Sequence, residues 1–187
     1  MALSISLSTT ISTTVRQIDQ FTEFTGRSIA WLNVAMVVLT CLVVIMRYVF
    51  NHSSIVLQES AMYLHAMVFL IASAYTLKHD EHVRVDIFYQ RLSTKGKALV
   101  NLIGTLFLLI PVILFIGWSS WPYIESSWRV LETSSEAAGL PLVFLLKSLI
   151  LVMVAVLLIQ ALAEALRSIA ELAGVHVDHD HRDEGTL

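Results

Sequence analysis

Arg47, Glu59, His65 and Lys147 stand within or beside long apolar stretches of this 187-residue chain. A charge at the centre of a membrane helix costs roughly 2.5–3.5 kcal/mol on insertion scales, so each needs a partner or a polar surface. Arg47 ends one apolar run, and Glu59 begins the next after a short link. The two reach similar depth, which makes an ion pair between them, or with another subunit, geometrically cheap. Lys147 lies about 10 Å into the last run at 1.5 Å per helical residue, where it can snorkel outward or meet Glu59. His65 is the one histidine deep in a run. Bis-histidine haem ligation needs a second histidine at matching depth, and the other three runs hold none. No paired carboxylates, no Ser/His/Asp set and no Cys/His set converge. The expectation is a chain with no catalytic residues, no cofactor site and no metal site. His176, His179 and His181 alternate with Asp178 and Asp180 and read as a solvated tail.

The elements that position these residues are four apolar runs at 29–50, 57–77, 98–121 and 140–163. A hydrocarbon layer about 30 Å thick is crossed by about 20 helical residues, and only helices or closed barrels satisfy their backbone in lipid. Strand-type alternation is absent. The sequence therefore predicts an all-α membrane protein of four transmembrane helices with amphipathic interfacial segments. Composition agrees, since 56% of the chain is hydrophobic and 14% charged, against about 25% charged in soluble domains. The net charge of -3 suggests no nucleic-acid partner, and no basic stripe outside the membrane argues for one. Residues 1–28 form a lead-in, loose over 1–15 and amphipathic over 16–27. Residues 29–165 make the transmembrane domain and 166–187 a tail. Pro111 predicts a kink in the third helix, and the loop after it predicts a short interfacial helix. Cys41 reads as a small buried hydrophobe.

Lysine and arginine near span ends set orientation. Arg16, Arg27, Lys78, Arg84, Arg91, Lys95, Lys97, Arg167 and Arg182 map to one side, nine of the twelve basic residues. Arg47 and Arg129 map to the other. Both termini are expected in the cytoplasm of a multi-pass inner-membrane protein. The connection 78–97 joins basic residues to Val85, Phe88 and Leu92 at i, i+3 and i+7, one apolar helix face. His82 and Asp86 can pair at i, i+4, while Arg84 and Arg91 reach phosphate level. This segment predicts an interfacial anchor, a docking surface, or both.

The stretch 47–86 resembles the small membrane subunit of tripartite ATP-independent periplasmic (TRAP) transporters, the DctQ type. That pattern runs Arg-Tyr-x-Phe, Trp-x-Glu-Glu at the entry to helix 2, and His-x-x-x-Asp after it. Arg47, Tyr48 and Phe50 match the first part, Glu59 the second glutamate, and His82 and Asp86 the last. Val56 replaces the tryptophan and Gln58 the first glutamate. The resemblance implies a non-catalytic scaffold. Its partners would be a large sodium-coupled permease subunit, a periplasmic solute-binding protein delivering an organic acid, and the lipid bilayer. Arg47, Tyr48, Phe50, Glu59, His82, Arg84, Asp86, Phe88 and Lys147 are the structural or partner-contact candidates. A different class, a small membrane anchor of a redox complex, is the alternative, and a haem absorbance band would reveal it. A self-sufficient exporter using Glu59 would need that carboxylate nearer mid-membrane.

Overall fold

The computed structural model describes residues 2–79, 89 and 92–174. Among the described residues there are five α-helices and no strand. Helix α1 spans Ala2–Tyr48, α2 Ile55–Lys78, α3 Thr94–Gly104, α4 Ile110–Val130 and α5 Val143–Leu172. A π-helical turn, Thr105–Leu109, joins α3 to α4. Together α3 and α4 make one continuous span, so four helical segments among the described residues are long and apolar enough to cross a membrane. This is the all-α, four-span architecture expected from hydropathy.

Local chemistry sets the ends. Asn51 adopts a left-handed conformation (φ 51°), which asparagine tolerates better than most residues. It lets the His52 N–H return to the Met46 carbonyl at 2.9 Å and stops α1. Ser54 caps α2, its hydroxyl accepting from the Leu57 N–H, and Ser93 caps α3 by accepting from the Gly96 N–H. Capping oxygens satisfy donors that a helix leaves free at its start. Pro111 shapes the middle of the third span as a ring without an N–H must. The Ile110 N–H reaches back five residues to the Thr105 carbonyl, so the disturbance takes the form of a π-turn just before the proline.

Helix α5 is the shared element. It packs against α1, α2, α3 and α4, and α1 also packs along α2. Gly26 allows the closest approach of α1 to α2: a Cβ there would stand 2.2 Å from a ring carbon of Tyr75. Little of the apolar surface is buried inside the chain. At most 11% of the most apolar stretch of each span is buried, so lipid or another protein must cover the rest.

Two expectations are corrected. Residues 1–15 read as loose, yet α1 begins at Ala2. Val15 is buried against Ala170, a surface on α5 that lies far away in sequence. The loop after the third span was expected to carry a short interfacial helix of its own. Instead α4 itself continues to Val130, through Pro122, Tyr123 and Trp128.

Candidate functional site

The polar side chains embedded in this apolar frame tie helices to one another at both ends of the bundle. At the end where α1 begins, Glu23 joins α1 to α2. Its Oε2 accepts from Lys78 Nζ at 2.6 Å and lies 3.1 Å from His79 Nε2, while Oε1 accepts from Arg27 Nε at 2.8 Å. The His79 ring lies 4.2 Å from that of Tyr75, beside the Gly26 crossing.

A more deeply buried set joins α1 to α5. Asp19 accepts from Arg167 Nη2 at 2.6 Å and from Gln160 Nε2 at 3.2 Å. Gln160 Oε1 accepts the Thr22 hydroxyl at 2.7 Å, and Arg167 Nη1 donates to Glu164 at 2.7 Å. Gln160 is 0% exposed and Arg167 3%. Buried charges persist only where paired and hydrogen-bonded, and here a two-carboxylate cradle holds one guanidinium.

At the opposite end Glu59 fixes the loop between α4 and α5. Its Oε1 accepts the Ser134 hydroxyl, and its Oε2 accepts the Leu140 N–H at 2.5 Å. Leu131 takes a left-handed conformation (φ 45°) and turns the chain so that Glu132 meets Lys147. The Lys147 ammonium holds the Glu132 carboxyl below the usual carboxylate range, because an adjacent cation favours the charged form. Lys147 Nζ also stands 3.9 Å from the centre of the Tyr123 ring, within cation–π range. Trp128 Nε1 donates to the Ser148 hydroxyl at 2.7 Å.

This geometry revises the sequence expectations for particular residues. Arg47 and Glu59 do not pair: Arg47 lies 5.9 Å from the centre of the Tyr48 ring, and Glu59 is engaged by the loop. Lys147 meets Glu132 rather than Glu59. The loop folds a carboxylate onto the lysine first, a partner the sequence order does not suggest. Tyr48 and Phe50 are exposed at 77% and 66%. Cys41, expected as a buried hydrophobe, is exposed, since its face of α1 has no helix against it. His65 is exposed on α2, stacked on Phe69 at 6.4 Å between ring centres. His82, Arg84, Asp86 and Phe88 lie outside the described residues. Among the described residues no group of three or more His, Cys, Asp or Glu side chains is arranged to hold a metal.

Sequence reasoning missed the buried set of Asp19, Thr22, Gln160 and Arg167. Its signal was a helical period of polar residues, Gln160, Glu164 and Arg167 at i, i+4 and i+7, continuing the last apolar run. Asp19 and Thr22, at i and i+3, supply the matching face on α1.

With the bundle and its ties in view, the comparisons with known proteins are specific. Residues 36–171 match the family described as tripartite ATP-independent periplasmic transporters, DctQ component. The chain belongs to this family. A relative from Vibrio cholerae serotype O1, the C4-dicarboxylate TRAP transporter small permease protein DctQ, is 30% identical over 117 residues. That match covers 60% of this chain, which spans about half the length (50%) of the relative. No solved structure matches. The family segment takes in Lys78, Gln160 and Arg167 but begins after Asp19, Thr22 and Glu23. The ties at this end therefore fasten the first half of α1 onto the family core.

Proposed function

We propose that this chain is the small, non-catalytic membrane subunit of a TRAP-type secondary transporter. It scaffolds a large sodium-coupled permease subunit that takes up an organic acid delivered by a periplasmic binding protein. Membership of the DctQ family supports the transport role. The observation that carries the scaffold role is how the embedded charges are used. Glu23, Asp19, Arg167, Glu59 and Lys147 are each engaged with a neighbouring helix or with the loop that follows one. They serve to hold the helices in place. The apolar faces left over form a broad surface suited to lipid and to a second membrane subunit. Both termini are assigned to the cytoplasm by the bias of lysine and arginine.

Reconstitution tests this reading. Liposomes holding the chain alone should show no uptake of C4-dicarboxylates or other organic acids under a sodium gradient. Uptake should appear once the large subunit and the binding protein are supplied. Sodium-driven uptake by this chain alone would overturn the scaffold reading.

A further inference from the structure

His65 has no role in the ties described above. It lies near the middle of α2, ten residues from Ile55 and thirteen from Lys78. At 1.5 Å per residue that is about 15 Å from one end and about 20 Å from the other. Its side chain is exposed, and among the described residues its one close polar or ring contact is Phe69. Gln58, Met62, His65 and Phe69 recur at i, i+4, i+7 and i+11, and all four are exposed on one face of the helix. The other sides of α2 pack on α1 and α5.

Hydrocarbon offers an imidazole neither donor nor acceptor. Ionisable side chains within transmembrane segments almost always face protein or water. The contrast with the middle of the third span is direct, because Phe107 and Leu108 of the π-helical turn and Phe115 of α4, all exposed, are apolar and suit lipid. A second copy of this chain is a poor occupant. A twofold axis along the membrane normal would set His65 against His65 at one depth. A neutral imidazole has one donor and one acceptor, so a single bond within the pair leaves one of each unmet.

We propose that the face formed by Gln58, Met62, His65 and Phe69 is the docking surface for a transmembrane helix of the large permease subunit. His65 hydrogen-bonds at mid-membrane depth to a polar side chain or an irregular backbone group of that helix. Met62 and Phe69 pack on either side and exclude lipid. This rests on the reading that the large subunit is the partner.

The test uses cells that produce the full chain together with an affinity-tagged large subunit. A photo-crosslinking amino acid replaces Met62 or Phe69, and crosslinked products are identified by the tag and by mass. The expected product joins this chain to the large subunit from both positions. His65→Leu should lower co-purification of the large subunit about fivefold, because the opposing polar group loses its partner. His65→Gln, which keeps a donor and an acceptor, should recover much of it. Because His65 is exposed, helix content should be unchanged in both variants. Crosslinks from both positions only to lipid, or to a second 20.9 kDa copy, overturn the proposal. If the large subunit still co-purifies in that case, the scaffold role stands. His65→Leu equal to the unaltered chain also overturns it. If the large subunit fails to co-purify with the unaltered chain, the scaffold reading and this proposal fall together.

Discussion

Glu59 shows how one side chain can hold a whole connection. Its two carboxylate oxygens accept from the Ser134 hydroxyl and the Leu140 N–H, so the loop from 131 to 142 is pinned near both ends. Glu59→Gln places an amide N–H against one of those donors. A lost charge-assisted bond plus a stranded donor costs about 1–3 kcal/mol. Thermal unfolding in detergent should show a lower Tm for Glu59→Gln and no change for Arg47→Gln. Exchanging the two charges should bring no recovery, since Arg47 does not face Glu59. Arg167 is a second residue with a sharp expectation. It is buried between Asp19 and Glu164, and removing one partner of a buried pair costs about 3–5 kcal/mol. Arg167→Gln should destabilise the bundle strongly. A double-mutant cycle with Asp19→Asn should show the two losses to be far from additive. Additive losses would mean that the pair is not coupled.

At the scale of elements, the α1–α2 crossing depends on Gly26. A Cβ there would stand 2.2 Å and 2.6 Å from two atoms of the Tyr75 ring and 3.0 Å from the Tyr75 Cβ, so the crowding reaches the root of that side chain rather than its flexible end. Gly26→Ala should force the helices apart and cost about 1–3 kcal/mol, the usual range for overpacking. Gly104 is the contrasting position, with nothing within 4 Å of an added Cβ. Gly104→Ala should be neutral or stabilising by up to about 1 kcal/mol through helix propensity. Melting curves of the two variants decide whether the crossing is as tight as the geometry requires. The loop-to-α5 tie has a pH signature. Lys147 lowers the Glu132 pKa in the fold, so the tie contributes stability above the unfolded carboxylate value of 4.5. It is lost as pH falls through the lower folded value. Stability should drop on the acid side of about pH 4.5, and Glu132→Gln should flatten that part of the curve. An unchanged acid limb in the variant would rule the pair out as its source.

At the scale of the whole molecule, α5 is the mast to which the other helices are fixed, and the outward faces remain mostly apolar. The proposed orientation has a direct test. In a Cys41→Ser background, a membrane-impermeant thiol reagent added outside intact cells should label Ser135→Cys and leave Thr94→Cys unlabelled. Both positions are exposed, and Ser135 leaves the Glu59–Ser134 bond in place. The reverse pattern would invert the topology. Apolar run length made the four spans legible in the sequence, since hydrocarbon thickness alone imposes it. The ordered motif from Arg47 to Asp86 made the DctQ resemblance legible, and the family match across residues 36–171 agrees.

Partner choice among the embedded charges was not legible. A partner is fixed by helix rotation and loop path, and neither follows from spacing along the chain. Arg47 and Glu59 are close in sequence order but face different neighbours, while Lys147 finds Glu132 only because Leu131 turns the chain back. The same reason hid the bonds from Asp19 to Gln160 and Arg167, 141 and 148 positions away. Sequence by itself determined that this chain lives in lipid and crosses it as helices, because solvent and backbone chemistry leave few alternatives to such apolar runs, while its likeness to the small TRAP subunits rests on the ordered residues from Arg47 to Asp86. Tertiary structure alone decided which polar groups are spent within the chain and which, like His65, are left facing outward, because only the packing of α2 between α1 and α5 fixes which of its faces stays open.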